Sequence, residues 1–231
     1  MTKNFLSILL LCTTLFFISC SKKSDSTTTP TETPAAKSQF DNSNFGIYKG
    51  VFVGSSGIII LDISNSGTTT ATLIVNGVTY NFTTTQTVQQ GQATTLNFVS
   101  GTNSFTFTVA ANGANPAITN LIVNGHPNAS ILVVKETSTA LVKCFEGTFT
   151  GGDAGTFNAV IYNNLIKGLA KNNFNSIYTA TGTITNNQIS LAGTVNSGAT
   201  FIGVLNGNTI SGTWSNTASA LSGNWSGTRT Y

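Results

Sequence analysis

A cysteine at the end of an apolar run is the first place in this sequence where residue type and spacing could carry chemistry. Lys3 supplies a positive charge, the apolar run extends over residues 5–18, and a small residue, Ser19, precedes Cys20. A run of about fourteen residues is typical of an export signal and is shorter than the roughly twenty that a spanning helix needs. The pattern predicts a removable signal over residues 1–19 and leaves the Cys20 thiol as a candidate for covalent modification.

The segment Phe17-Ile18-Ser19-Cys20 resembles the lipobox of bacterial lipoproteins, in which a diacylglycerol is attached to the cysteine and the signal is cut just before it. Phe17 replaces the usual Leu, a departure that resembles lipoproteins of the Bacteroidetes. The resemblance implies lipidation of Cys20, including a palmitate-type chain, and durable anchoring, because two or three acyl chains hold far better than one. The alternative is an ordinary secretory signal with an incidental cysteine.

The residues after Cys20 indicate a location and a spacer. Ser21 resembles the outer-membrane sorting pattern of Gram-negative lipoproteins, which implies the outer membrane of the cell envelope, on its periplasmic or its surface face. Residues 21–44 are rich in Ser, Thr and Pro and have almost no large apolar side chains. Such a composition cannot bury enough surface to offset the entropy of ordering. The sequence therefore predicts a disordered linker over residues 20–44, including the lipidated cysteine.

The other residues that could take part in catalysis or metal binding are few. Cys144 lies beside Val142 and Phe145, which predicts a buried small hydrophobe rather than a reactive thiol. His126 precedes Pro127 in a turn pattern, with no Cys, Asp or Glu at metal-ligand spacing. A catalytic histidine needs a nucleophile and an orienting acid. We therefore predict no metal site, no cofactor and no catalytic residue.

Paired carboxylates are the remaining catalytic hypothesis. Asp62 and Asp153 each come early in one half of the chain and could approach each other as the two acids of a glycosidase do. The phrase Gly151-Gly152-Asp153 is typical of a hairpin turn and lacks the strand-to-helix context of a phosphate loop. The sequence favours a protein that is not an enzyme.

Composition restricts the choice of partners. Charged residues make up only 7% of the chain, and the net charge of +3 leaves no basic patch for nucleic acid. Thr, Ser, Asn and Gly occupy the polar positions instead, which favours neutral surfaces such as sugars. The expected partners are the membrane, through the lipid anchor, and a glycan or another envelope protein.

The elements that must carry these residues are short β-strands. From Gly46 onward, apolar and polar residues alternate with period two, and Asn-Gly, Ser-Gly and Gly-Asn pairs interrupt the alternation about every ten residues. This pattern predicts an all-β fold of antiparallel meander strands in one or two small barrel-like or sandwich units. Residues 48–54 match residues 145–151 at a shift of 97, so we predict a first unit over 45–143 and a second over 144–231.

Glycines share a strand face with aromatic residues in the second half, as in Gly212 with Trp214 and Gly223 with Trp225. Glycine weakens a strand, and its use here indicates tightly curved sheets in which aromatic rings cover the gaps. These phrases loosely resemble avidin-like and lipocalin-like barrels, a resemblance that implies a closed barrel. Trp214 and Trp225, with Tyr178, are candidate sugar-stacking residues if they face solvent, although their alternation with glycine favours the core.

Taken together, these patterns predict a lipid-anchored envelope β-domain with a non-catalytic binding or surface-interaction role. One alternative is a carrier with a small ligand in a barrel cavity, because eight strands close a barrel that is filled or holds one small molecule. A second is an envelope glycan hydrolase or an inhibitor of one. A transmembrane barrel is disfavoured because the strands are shorter than the roughly ten residues that it needs.

Overall fold

The computed structural model describes residues 30–193 and 198–231. The predicted signal and Cys20 lie outside the described residues. Within them the chain forms sixteen strands and a single turn of 3-10 helix at Ser38–Phe40, which confirms the all-β prediction. None of the helical structure in these residues has the length and apolar character of a membrane-crossing helix.

The N-terminal unit is an antiparallel meander of eight strands in the order β7-β6-β5-β4-β3-β2-β1-β8. Its strands are β1 (Gly46–Val53), β2 (Gly57–Ile63), β3 (Thr69–Val75), β4 (Val78–Thr83), β5 (Thr94–Ser100), β6 (Asn103–Val109), β7 (Ala117–Ile122) and β8 (Ser130–Lys135). The last strand crosses back to pair with β1, so that β7 and β8 form the two edges of a barrel-like sheet.

The C-terminal unit is a closed antiparallel barrel in which each strand pairs with the next and β9 pairs with both β10 and β16. Its strands are β9 (Lys143–Gly151), β10 (Gly155–Tyr162), β11 (Leu165–Asn172), β12 (Ile177–Thr185), β13 (Gln188–Gly193), β14 (Ala199–Asn206), β15 (Thr209–Asn216) and β16 (Leu221–Arg229). The barrel has a base, where β9 begins and β16 ends, and a mouth, where β9 ends and β16 begins.

Turn residues occur where the sequence predicts them. Asn76 and Gly77 join β3 to β4 with φ of +51° and +76°, the left-handed backbone that a two-residue hairpin needs. Gly207, between β14 and β15, has a φ of +57°. Because loop length fixes the register of a hairpin, these turns also decide which face of each strand is buried.

Alternation along the strands divides the apolar residues into three cores. One fills the N-terminal unit, a second fills the barrel, and a third lies between the two units. The third core joins Val51 and Val53 of β1 to Val160 of β10 and Leu169 of β11. Strand β1 is consequently buried on both faces along its whole length.

The inward-facing glycines of the barrel lie where neighbouring backbones approach closely. A Cβ placed on Gly147 or Gly182 would be 1.8 Å from a carbonyl oxygen of the next strand. At Gly203 the same atom would be 2.5 Å from the Trp225 ring. The closed barrel that the glycine pattern indicated is present, but the neighbouring backbone, rather than an aromatic ring, is the main reason that no side chain fits.

Residues 30–44 have defined contacts in the structure, whereas their composition predicts a disordered linker. The Ala35 N–H donates to Glu136 Oε1 at 2.7 Å, and the Lys37 N–H donates to Asn65 Oδ1 at 3.0 Å. Glu32 lies 2.6 Å from the buried Arg229 guanidinium at the barrel base. Hydrogen bonds from backbone N–H groups and an ion pair hold this segment in place. The prediction of disorder rested on the lack of large apolar side chains, which says nothing about such polar contacts.

Candidate ligand-binding site

The lower half of the barrel interior is filled with side chains. Bulky residues from strands around the barrel point inward at the base and are buried, namely Phe145, Ile161, Ile166, Ile184, Ile189 and Ile210. Close packing of this kind excludes both water and ligands. A ligand could therefore enter the barrel only from the mouth.

Small residues replace these bulky ones toward the mouth. Gly168 of β11 lies opposite Ala180 of β12, and Ala180 lies opposite Gly193 of β13, so three neighbouring strands present almost no side chain at one level. These residues border a cavity of about 260 Å³ that opens at the mouth. We call it the mouth cavity.

Aromatic rings form the opposite wall of the mouth cavity. The rings of Phe157 and Phe201 are stacked with their centroids 5.7 Å apart, and Phe149 meets the Trp214 ring edge to face at 6.0 Å. The Trp214 indole N–H donates to the Thr150 carbonyl at 3.0 Å, which fixes the ring while its nitrogen stays satisfied. Rings held in this way give a preformed apolar surface, as small-ligand sites usually have.

A polar cluster borders one side of the mouth. Asn172 Nδ2 donates to Asp153 Oδ2 at 2.9 Å and to the Tyr178 hydroxyl at 3.1 Å. The Asn172 side-chain oxygen, Oδ1, accepts from the backbone N–H groups of Phe174 and Ser176, which shapes the β11–β12 turn. Asp153 and Tyr178 line the mouth cavity and leave acceptor positions there for a ligand.

The mouth cavity has an uneven charge distribution. Asp153 is the one charged residue among the described residues that line it, and no Lys or Arg does so. Around the opening, Phe174 at 83% exposure and Leu221 at 37% present apolar side chains to solvent. An apolar ligand that is neutral or carries a hydrogen-bond donor suits this environment better than a carboxylate does.

The three candidate ligand-binding residues have different positions. Trp225 is 2% exposed and lies in the core against Phe157, with ring centroids 5.2 Å apart. Trp214 is 7% exposed but borders the mouth cavity, and Tyr178 is 40% exposed at its rim. The favoured core assignment holds for both tryptophans, so neither provides an exposed sugar-stacking platform.

The remaining chemical candidates are dispersed. Cys144 is buried and burial raises the pKa of its thiol to about 12, as expected of an inert cysteine. His126 lies in a turn, where its ring meets Phe52 edge to face at 5.5 Å. Asp62 accepts the N–H groups of Asn65 and Ser66 in the N-terminal unit, whereas Asp153 lies at the barrel mouth. In the described part of the chain, no three of the His, Cys, Asp and Glu side chains cluster as metal ligands.

Sequence reasoning gave a ligand-holding barrel cavity only as an alternative and did not identify the residues that line it, although a signal for them was present. Inward positions read Ala or Gly at the mouth ends of β11, β12 and β13 and Ile at the base ends of β10, β11 and β12. Only the strand register places Gly168, Ala180 and Gly193 side by side. The comparisons add no family to this description, because the chain matches neither a protein-family model nor a curated protein.

Proposed function

We propose that this protein is a lipid-anchored binding protein of the cell envelope that holds a small, mainly apolar ligand in the mouth of its C-terminal barrel. The mouth cavity is the observation that carries the proposal. A barrel that served only as an interaction module could fill its interior completely, as the base of this one does. The upper half instead combines a row of small residues with a wall of ordered aromatic rings.

The size and polarity of the cavity indicate a ligand class. A cavity of about 150 Å³ accommodates benzene, so 260 Å³ suits a ligand of about ten non-hydrogen atoms. The ligand should be flat enough to lie on the aromatic wall, and an amine or hydroxyl on it could donate to Asp153. The hydrolase alternative has weaker support, because its proposed acids, Asp62 and Asp153, have separate hydrogen-bond partners.

Cavity filling provides a direct test of the binding site. The Ala180→Leu variant should fill the space beside Gly168 and Gly193 and abolish binding while the barrel remains folded. Ala192→Leu is the matched control, because Ala192 lies on the exposed outer face of the adjoining strand β13. Naphthylmethylamine and naphthoate serve as probes, with binding followed by tryptophan fluorescence.

The expected result is that wild type and the control bind the amine, that both bind naphthoate more weakly, and that Ala180→Leu binds neither. Native mass spectrometry of protein purified from its host adds a second measurement, in which a retained small molecule supports a carrier. Equal binding of the amine by Ala180→Leu and wild type would contradict the mouth cavity as the site.

The anchoring part of the proposal rests on the lipobox-like segment. Changing Cys20 to Ala should move the protein from the membrane fraction to the soluble fraction, because the acyl chains can no longer be attached. Metabolic labelling with a palmitate analogue should mark wild type and not the variant. A Cys20→Ala protein that stays in the membrane fraction would exclude lipid anchoring through this residue.

A further inference from the structure

A second concave surface lies outside the barrel, beside the N-terminal unit. This junction groove has a volume of about 560 Å³ and is lined by the outer faces of β9 and β10, the end of β11, the turn that follows β11, and Gly54 of the N-terminal unit. It differs from the mouth cavity in chemistry, because seven of its eleven lining residues carry a hydroxyl, amide or ammonium group.

Among the residues that the structure describes, Lys171 is the only charged one lining the junction groove, and it is largely out of solvent. The residue is 9% exposed, and its ammonium donates one hydrogen bond, to the Pro127 carbonyl, at 3.4 Å. It forms no ion pair with any described residue. A buried ammonium has three donors and favours a counter-charge, so most of the binding capacity of this group is unused.

Thr156 provides a second unsatisfied group directly beside the lysine. Its hydroxyl oxygen is buried and has no hydrogen-bond partner among the described residues. Thr156 lies opposite Lys171 in the β10–β11 ladder, and opposite Thr148 in the β9–β10 ladder. Facing residues on one side of an antiparallel pair have their Cβ atoms about 5 Å apart. Because the Thr156 hydroxyl oxygen is itself shielded from solvent, rotation of the Thr156 side chain about χ1 is needed before one ligand oxyanion can contact both the hydroxyl and the ammonium.

The rest of the lining suits a polyhydroxylated molecule. The side chains of Thr148, Thr150, Asn173 and Asn175 border the groove and form no hydrogen bond with other described side chains. The nearby Asp153 carboxylate belongs to the mouth and accepts from Asn172, and within residues 30–193 and 198–231 no acid lines the groove to repel an anion. Donors and acceptors surrounding a single cation match a sugar that carries one acidic group.

We propose that the junction groove binds a carboxylate-bearing saccharide, with its carboxylate on Lys171 and Thr156 and its hydroxyls on the neighbouring threonine and asparagine side chains. This site is separate from the mouth cavity and does not depend on the ligand proposed there. The saccharide would contact strands of the barrel and Gly54 of the N-terminal unit together, so that both units contribute to its recognition.

Titration calorimetry of the full chain tests the assignment, with methyl glucuronide as the probe and methyl glucoside and acetate as comparisons. Wild type should bind the glucuronide at least tenfold more tightly than either comparison. Lys171→Gln should reduce glucuronide affinity by about tenfold to a hundredfold, the usual effect of losing a charged hydrogen bond. Lys167→Gln, on the same face of β11, should leave the affinity unchanged.

Two further variants keep the result interpretable. Thr156→Val should weaken glucuronide binding several-fold, which provides a second test if Lys171→Gln does not fold. Ala180→Leu should bind the glucuronide like wild type, because it blocks only the mouth cavity. The proposal is overturned by three results: no glucuronide binding to wild type at millimolar concentration, equal binding by wild type and folded Lys171→Gln, or acetate binding as tight as glucuronide binding.

Discussion

At the residue scale, glycine determines how closely the barrel strands approach one another. A Cβ on Gly223 would lie 1.7 Å from the Thr150 carbonyl oxygen and 2.7 Å from the Trp214 indole nitrogen. A Cβ on Gly227, four residues further along the same strand, would meet its nearest atom at 3.2 Å. The two glycines face the same way but differ in the space available to a methyl group.

Substitution of these two glycines should therefore have unequal effects. Gly223→Ala forces β16 away from β9 and should lower the free energy of unfolding by about 3 kcal/mol or more, at the upper end of overpacking costs. Gly227→Ala, the matched control, should lower it by much less. Urea unfolding followed by tryptophan fluorescence measures both, and similar losses would show that close backbone approach is not the reason for glycine at Gly223.

Carboxylate burial gives a second residue-scale prediction. Burial raises the pKa of Glu146 above its ordinary value of 4.5, although a hydrogen bond from Thr230 partly opposes the shift. Between 4.5 and the raised pKa, the native state binds more protons than the unfolded state, so stability falls as pH rises. Glu146→Gln should therefore gain stability relative to wild type between pH 4 and pH 7, as measured by urea unfolding at both values.

The pKa of Glu32 is shifted in the opposite direction from that of Glu146, so its effect on stability should depend on pH in the opposite way. Its hydrogen bond to the Arg229 guanidinium holds the pKa of Glu32 below 4.5, so its contribution is present above that value and is lost as pH falls through the lowered pKa. Glu32→Gln should lose stability relative to wild type at pH 7, and this loss should shrink in acid. If the stability difference between Glu146→Gln and wild type did not change with pH, the assigned pKa shift would be wrong.

At the element scale, strand β1 could be predicted from the sequence, but the burial of one of its faces could not. Period-two alternation and turn residues were sufficient to predict the strands, because each strand buries one apolar face locally. They could not show that Lys49 on the other face of β1 is fully buried against Glu136, 87 positions away. A lysine between Tyr48 and Gly50 looks like an exposed residue until the second unit packs over it.

A buried ion pair between Lys49 and Glu136 links β1 to the segment between the two units. Glu136 Oε2 lies 2.5 Å from the Lys49 ammonium and accepts the Val142 N–H at 3.0 Å. Glu136→Gln keeps the size and an acceptor but leaves a buried ammonium without a counter-charge, so it should cost about 3–5 kcal/mol. Thermal and urea unfolding measure this loss.

A second substitution separates the charge effect from the loss of shape. Adding Lys49→Met to Glu136→Gln removes the uncompensated charge and should restore part of the stability. Lys143→Met is the comparison: it breaks only an exposed ion pair with Glu32 and should cost much less stability than Glu136→Gln. A double variant less stable than Glu136→Gln alone would contradict this explanation.

The candidate sites were harder to predict than the elements for a related reason. The mouth cavity depends on the register that aligns Gly168 with Ala180 and Gly193, and the junction groove depends on the pairing of Thr156 with Lys171. Periodicity predicts which face of a strand is buried, whereas cross-strand neighbours depend on loop lengths and on closure of the barrel. The alanines, glycines and threonines concerned consequently did not identify either site until the strand register had placed them side by side.

At the scale of the whole molecule, the third core indicates that the two units unfold together. Leu169 of β11 is 2% exposed and packs in the same cluster as Val51 and Val53 of β1. Leu169→Ala should lower the free energy of unfolding by about 2–5 kcal/mol. Both units should still unfold in one transition, at a lower midpoint temperature than in wild type. Scanning calorimetry should give a single peak whose calorimetric and van't Hoff enthalpies agree.

Two optical signals check this cooperativity independently. Both tryptophans, Trp214 and Trp225, belong to the barrel, so their fluorescence reports on that unit, whereas far-ultraviolet circular dichroism reports on strands of both units. The two unfolding curves should coincide in wild type and in Leu169→Ala. Separate midpoints would instead show that each unit unfolds on its own.

The contacts of Glu32 and Thr31 with Arg229 show at which end of the barrel the N-terminal segment is attached. Arg229 lies at the end of β16, so the chain from the N-terminus meets the barrel at its base. The opening lies at the other end of the strands. A tether through Cys20 would therefore hold the protein by its closed end and turn its opening toward the surrounding fluid, so that a ligand would be captured from that fluid rather than drawn out of the bilayer.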